Sequence, residues 1–497
     1  MTTYTPSAAT SNFINRNHQL FINGESVASV SGKTIDVYNP ATAEKITQIQ
    51  AAGQEDINKA VAVARKTFED SDWSRALPSD RERLLWRLAD LIEANSDELS
   101  EIESIDNGKG VGIAKGVDIR LAIDFLRYMA GFATKIEGST VDVSVPFMPG
   151  SQFHGYTRRE AVGVVGAIVA WNFPLLLSCW KLGPALATGC TVVLKPAEDT
   201  PLTALRLAEL VMEAGYPPGV LNVVTGYGHE AGAALSSHPD VDKLTFTGST
   251  PVGKMIGKAA MDSMTRVTLE LGGKSPTIVL EDADLNMAAQ GAANAIFFNQ
   301  GQVCCAGSRL YVHKKHFENV VADISDIANS ITLGHGLDPN AQMGPLVSAK
   351  QLDRVNGYIE KGRQDGATIT AGGTGIDGPG YFVKPTVMVD LAQNSALVQE
   401  EIFGPVLVAR PFDDIEEVIK AANDSPYGLG ASIWSNNLSQ VHRMIPRIKS
   451  GSVWVNCHTA LDSALPFGGY KQSGLGREMG SAVIEHYTEL KSVLIHI

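Results

Sequence analysis

The sequence predicts an α/β protein built on two doubly wound parallel sheets, with a small β element attached. Three observations carry that expectation. From residue 162 short β-rich apolar runs alternate with helical runs, and a second series of the same kind begins after Gly273. The polar, Gly- and Pro-bearing stretch 142–157 and the tail 490–497 stand outside both series. Strands alternating with helices imply a parallel sheet covered on both faces. With 497 residues, 44% of them hydrophobic and 19% charged, the chain can bury a large core spread over roughly two to four domains.

Residues 1–18 are polar and rich in Ser, Thr and Asn, and read as a flexible N-terminal arm. The run 19–22 is an apolar strand ending at Asn23-Gly24, a hairpin signal. Ser79-Asp80-Arg81-Glu82 has the form of a capping box, and Leu84, Leu85, Leu88, Leu91 and Ile92 follow at helical spacing. In the first alternating series the strands fall at 164–170, 191–194, 220–224 and 243–246. Leu202, Leu205, Leu207, Leu210 and Val211 mark a helix closed by Gly215. In the second series strands are expected at 276–280, 309–313, 406–412, 431–435 and 452–456, with helices around 317–331 and 415–422. The two units meet near 270–305, and junctions between units are common places for ligand clefts.

Charge and cysteine usage narrow the classes of partner. Lys and Arg total 41 against 54 Asp and Glu, a net charge of -13. Without a basic run, the electrostatic attraction to nucleic acid or an anionic membrane is missing, so a small-molecule partner is expected. Met1-Thr2-Thr3-Tyr4 begins neither a cationic nor an apolar leader, and no apolar run is long enough to span a bilayer; the cytoplasm is the expected compartment. The five cysteines, at 179, 190, 304, 305 and 457, are few and odd in number, which suits a reducing compartment and a reactive thiol. Neither a CxxC pair nor HExxH occurs, so no metal site is expected.

Gly301-Gln302-Val303-Cys304-Cys305-Ala306-Gly307 sets a cysteine in a turn of small residues, about one helix-length after Leu269-Glu270-Leu271-Gly272-Gly273. A thiolate nucleophile and a carboxylate able to take a proton from water are the two groups needed to form a thioester and hydrolyse it. Two glycine-rich turns compete for a dinucleotide phosphate. Gly226-Tyr227-Gly228-His229-Glu230-Ala231 satisfies the GxGxxG/A fingerprint. Thr247-Gly248-Ser249-Thr250-Pro251-Val252-Gly253 also follows a strand, and Pro251 suits a first helical turn whose free amides can face a phosphate.

Taken together, Trp171-Asn172-Phe173-Pro174, Lys195-Pro196-Ala197-Glu198, Phe246-Thr247-Gly248-Ser249-Thr250, Leu269-Glu270-Leu271-Gly272-Gly273-Lys274, the Cys304 turn, Glu401-Ile402-Phe403-Gly404-Pro405 and Pro466-Phe467-Gly468-Gly469 resemble the aldehyde dehydrogenase superfamily. The matches run in the family's order from about residue 20 to the end. The resemblance implies Cys304 as nucleophile, Glu270 as general base, and Asn172 as side-chain donor to the oxyanion beside the Cys304 amide. A fixed amide there is worth ~3 kcal/mol to a developing alkoxide. Cys305 is expected to point elsewhere.

For the cofactor, the resemblance implies NAD. It assigns Lys195 and Glu198 to the adenosine ribose, with the Glu198 carboxylate disfavouring the extra phosphate of NADP. Glu401 and Phe403 hold the nicotinamide side and Ser249 the pyrophosphate; Trp171, Gly228, Gly248 and Gly253 complete the cofactor set, the 226–231 turn moving to the adenine pocket. Matching positions put Phe173, Leu177, Trp180 and Phe298 in the mouth of the substrate pocket. Val303, Leu461 and Phe467 join them, making an apolar funnel without Arg or Lys. A hydrophobic aldehyde fits best, and the chain as a whole resembles bacterial phenylacetaldehyde dehydrogenases. A general aliphatic aldehyde dehydrogenase, a CoA-acylating dehydrogenase and an inactive structural homologue are the alternatives. The implied organisation is an NAD-binding domain at 19–141 and 158–271, a catalytic domain at 272–472, and an oligomerisation element at 142–157 and 473–497, giving a homodimer or homotetramer.

Overall fold

Asn23 and Gly24 both hold positive φ, 58° and 78°, as a two-residue hairpin turn of the I′ kind requires. They join Leu20–Ile22 to Glu25–Val27. This hairpin is the edge of an eight-stranded sheet in the computed structural model, which describes residues 4–376 and 378–497. At the centre of the sheet lie five parallel strands, in the spatial order Arg266–Glu270, Lys243–Thr247, Val164–Ile168, Thr191–Lys195 and Leu221–Val223. The three strands Val164–Ile168, Thr191–Lys195 and Lys243–Thr247 are buried throughout, which is why they read as continuous apolar or β-branched runs and not as alternating ones.

Strand order reverses between Val164–Ile168 and Lys243–Thr247, neighbours in space separated in sequence by two strands. Such a switch point opens a crevice at the carboxyl ends of the strands. A second sheet of seven strands contains Pro276–Val279, Arg309–His313, Val406–Phe412, Gly430–Trp434 and Ser452–Val455, at or within one residue of their expected positions. Thr368–Ala371 and Thr386–Val389 extend it and had no counterpart in the sequence reading.

The excursion and the tail pair with each other: Thr488–His496 runs antiparallel to Phe153–Ala161, which pairs with Thr140–Val141. Gly474–Leu475 instead pairs with Arg266–Glu270 in the eight-stranded sheet.

Two local expectations are corrected. The helix Pro78–Ala94 starts at Pro78, with Leu77 as its cap residue and no side-chain cap bond. Ser79 and Asp80 therefore sit inside the first turn and form no capping box, because a proline suits that turn better. Of the arm expected over 1–18, residues 1–3 lie outside the described residues, and Ala8–Ile14 is a helix. Ser7 caps it and donates to Glu101 (2.6 Å), while Phe13 is buried at 1% exposure; tertiary packing overrides the polar local sequence.

Candidate active site

The crevice at the switch point is the floor of a cavity of about 830 Å³. Val164–Ile168 delivers Trp171, Asn172 and Phe173 to it, Lys243–Thr247 delivers Gly248 and Ser249, and Arg266–Glu270 delivers Glu270 at its last position. From the second unit come Val303, Cys304 and Cys305, on the turn that precedes Arg309–His313, and Glu401 with Phe403. Phe173, Leu177, Trp180, Phe298, Leu461 and Phe467 also line it. Gly228, Gly253, Lys195 and Glu198 do not. Gly253 instead lets the helix Thr250–Asp262 pack closely, since a Cβ there would lie 2.3 Å from Leu271 Cδ2.

Cys304 is partly exposed to the cavity, whereas Cys305 is 2% exposed. Cys305 borders the same cavity. The adjacent Cys305 thiol, then burial and the nearby carboxylates, hold the Cys304 thiol well above its ordinary range, so the thiol must give up its proton before it reacts. Among the described residues no protein acceptor takes the Cys304 amide. The Asn172 Nδ2 donates one N–H to the Gln302 carbonyl (2.9 Å), and a side-chain amide has two to give.

Glu270 is 5% exposed, and among the described residues neither carboxylate oxygen has a hydrogen-bond partner. Burial and the Glu478 charge push it well above the usual carboxylate range, against the pull of Lys181 and Arg477. An unpaired buried carboxylate is a strong proton acceptor once ionised. Gly468, at φ +155°, makes room for it: a Cβ there would lie 2.7 Å from Glu270 Oε1.

The donors around the crevice suit a dinucleotide. The first turn of Thr250–Asp262 presents Ser249, Thr250 and Pro251 to the cavity, and first-turn amides lack partners within the helix. Thr247 Oγ1 is buried there with no partner among the described residues. Lys195 Nζ lies 3.3 Å from Glu198 Oε2, and the Gly228 amide donates to Glu198 Oε1 (3.4 Å). Burial raises the Glu198 carboxyl, but Lys195 together with the Glu198 and Gly228 backbone amides outweighs it, so the net shift is downward and the carboxylate stays charged. Trp171 and Phe403 meet edge to face at 5.2 Å.

Several participants were not visible in the sequence. Val117 and Leu121 form part of the cavity wall, and buried His458 borders it, its shift to about 4 caused by burial. Lys350 and Arg354 also line the cavity, outside the apolar residues expected at the substrate mouth. Arg354 sits on the Glu401–Phe403 side, donating to the Ile402 carbonyl (3.2 Å). Lys181 pairs with Glu478 at 2.7 Å, 0% and 1% exposed; the one signal in the sequence is a lysine inside the apolar helix Pro174–Thr188.

A doubly wound sheet whose switch point opens onto a thiol, a buried carboxylate and a side-chain amide defines a two-unit α/β oxidoreductase. The aldehyde dehydrogenase family model matches residues 27–493, and the chain belongs to that family. It is 53% identical over 480 residues to phenylacetaldehyde dehydrogenase of Pseudomonas fluorescens, covering 96% of each chain. The solved NAD+ complex of aldehyde dehydrogenase from Bacillus cereus superposes with a TM-score of 0.97 at 49% identity, covering 100% of both chains. The P. syringae indole-3-acetaldehyde dehydrogenase variant in complex with NAD+ and IAA superposes with a TM-score of 0.95 at 43% identity, again covering 100% of both.

Proposed function

We propose that this chain oxidises a hydrophobic arylacetaldehyde, best represented by phenylacetaldehyde, to the carboxylic acid with NAD. The observation that carries the reading is one cavity shared by Cys304, Asn172 and an unpartnered buried Glu270. NAD, when bound, supplies the hydride acceptor. The Cys304 proton passes to solvent, and the Sγ thiolate bonds to the aldehyde carbon. The free Nδ2 proton of Asn172 and the Cys304 amide hold the resulting oxyanion, then the acyl group stays on Sγ as a thioester when hydride has left. Glu270 next removes a proton from water, whose oxygen bonds to the acyl carbon as the Cys304 sulfur departs. A CoA-acylating reaction has no use for that base, and Glu270 weighs against it.

For the substrate, the stacked Phe173 and Phe298 rings (6.4 Å between centroids) and the tilted Trp180–Phe467 pair (5.6 Å) offer aromatic walls. The Pseudomonas fluorescens relative bears the same activity in its name. Glu198, Lys195 and Gly228 make up the adenosine end, Gly248 and Ser249 the pyrophosphate cradle, and Trp171, Glu401 and Phe403 the nicotinamide end. We assign 19–141 and 158–271 to NAD binding, 272–472 to catalysis, and 142–157 with 473–497 to assembly. Exposed Phe147, Leu490, Leu494 and Ile495 support a dimer or tetramer through that last element. All five cysteines are free, and among the described residues no helix is long and apolar enough to cross a membrane, in keeping with a cytoplasmic enzyme.

The test is mass spectrometry of enzyme quenched during turnover with phenylacetaldehyde, alongside kcat/KM for phenylacetaldehyde, benzaldehyde, hexanal and betaine aldehyde. An acyl adduct on Cys304 and a preference for the arylacetaldehyde are expected. Absence of the adduct overturns the mechanism; absence of the preference overturns the substrate.

A further inference from the structure

The segment 171–175, which carries Asn172, is gripped at three points from the end of one helix. Asn107 Nδ2 donates to the Trp171 carbonyl (2.8 Å), Lys109 Nζ to the Asn172 carbonyl (2.9 Å), and the Leu175 amide to Glu103 Oε2 (3.3 Å). The helix Ser96–Asn107 ends at Gly108, whose φ of 93° turns the chain back so that Lys109 reaches beneath the segment.

Lys109 is wholly buried, as are Glu103 and Asp118. Its ammonium donates to Glu103 Oε1 (3.2 Å), to Asp118 and to the Asn172 carbonyl, which uses all three N–H groups. The Nζ also lies 4.3 Å from the centroid of the Phe173 ring, one of the cavity walls. Asp118 belongs to the π-helical turn Ala114–Ile119, and its neighbour Val117 lines the cavity. Turns of this kind recur at functional sites.

Desolvating buried charges offsets most of their mutual attraction, so such a cluster is a weak source of stability. What it does fix is geometry, because each of three saturated donors has one place to go.

We propose that Lys109, held by Glu103 and Asp118, is a positioning residue for the Asn172 side-chain amide and links it to the Val117 wall of the substrate cavity. This rests on the reading of Asn172 as an oxyanion donor. Displacing the backbone at 172 would swing Nδ2 away from the Gln302 carbonyl and from the oxyanion position together. Lys109 never touches the substrate in this scheme.

The test compares wild type, Asn172→Ala, Lys109→Met and the double variant in two cofactor-free reactions of Cys304. Acylation by p-nitrophenyl acetate builds charge on an oxygen, whereas alkylation by iodoacetamide does not. Lys109→Met is expected to slow acylation ~10- to 100-fold, up to the lower edge of the ~100- to 1,000-fold loss that removing a whole oxyanion donor causes, and to leave alkylation within about twofold. In the Asn172→Ala background it should add nothing, since coupled residues are not additive. If Asn172→Ala is slow while Lys109→Met acylates normally, loses alkylation equally or adds its full effect in the double variant, the positioning role is overturned and the reading of Asn172 stands. If Asn172→Ala acylates normally, both fall. Should Lys109→Met not fold, Asp118→Asn keeps an acceptor for Nζ and replaces it in the same comparison. A several-fold loss confined to acylation then supports the role, and a wild-type rate overturns it.

Discussion

Gly272 and the Glu401 carboxylate occupy adjoining space: a Cβ built on residue 272 would lie 2.3 Å from Glu401 Oε2. Glu401 Oε1 meanwhile accepts the Gly273 amide at 2.9 Å. The glycine pair after Leu271 is thus the seat of Glu401, and a Cβ at 273 would in turn meet the Cys304 carbonyl at 2.4 Å. Gly272→Ala must push the carboxylate away, because the contact is closer than real Cβ atoms make. We expect NAD affinity to fall ~10-fold, about 1.4 kcal/mol, with iodoacetamide alkylation of Cys304 little changed. Titration of NAD by tryptophan fluorescence checks it, and undiminished affinity removes Glu401 from the cofactor's site.

Cofactor choice turns on Glu198. Its Oε1 takes the Gly228 amide and its Oε2 faces Lys195, so Glu198→Gln keeps an acceptor for Gly228 while removing the charge that repels a 2′-phosphate. The expected result is a ~10-fold rise in kcat/KM for NADP, with NAD altered less. Kinetics with both cofactors decide it, and an unmoved ratio places discrimination elsewhere.

How far the sequence reached follows from where each signal is stored. Strands such as Val164–Ile168 and Arg309–His313 were legible because burial on both faces leaves a run of apolar and β-branched residues. Thr368–Ala371, with only Ala371 buried, carries no such run. Of the two glycine turns, only the one at Ser249 faces the cavity; in the other, the Gly228 amide goes to Glu198, a distinction made by tertiary neighbours and absent from the fingerprint. Cys304 and Glu270 stood out because their flanking residues are unusual, small in one case and a glycine pair in the other. Lys181 and Glu478 are 297 positions apart, and no local pattern records that they meet beside Glu270. Val117 escaped notice for the same reason: its role comes from a π-helical turn that periodicity does not announce.

Leu461 is half-buried and borders the cavity near the aromatic walls. Leu461→Phe adds a ring where the proposed substrate places its own. The kcat/KM for phenylacetaldehyde should drop ~10-fold more than that for hexanal, since changes of a few carbons in an apolar pocket alter discrimination on that scale. Equal losses for both aldehydes would instead put the aryl group in another part of the cavity.

Glu270→Gln separates the two halves of the reaction. The variant should still form acyl-enzyme and fail to hydrolyse it, so steady-state turnover falls ~100- to 10,000-fold, the span of a lost general base, while a Cys304 adduct accumulates in quenched samples. Wild-type deacylation should rise with pH as Glu270 ionises, at a pH above the ordinary carboxylate value of 4.5 because burial and then Glu478 raise it; the variant's residual rate should lack that rise. Stability runs the opposite way. A carboxyl whose folded value is raised contributes stability below its unfolded value and loses it as pH climbs through the folded one. In alkaline buffer the folded wild type therefore carries an unpartnered buried charge, and the glutamine variant does not. The variant should be the more stable protein at pH 8, by about 1–3 kcal/mol on the scale of an unsatisfied buried group, with the gap closing toward pH 5. Urea unfolding at the two pH values measures it, and a gap that widens on acidification would show that Glu270 is charged and paired in the resting enzyme.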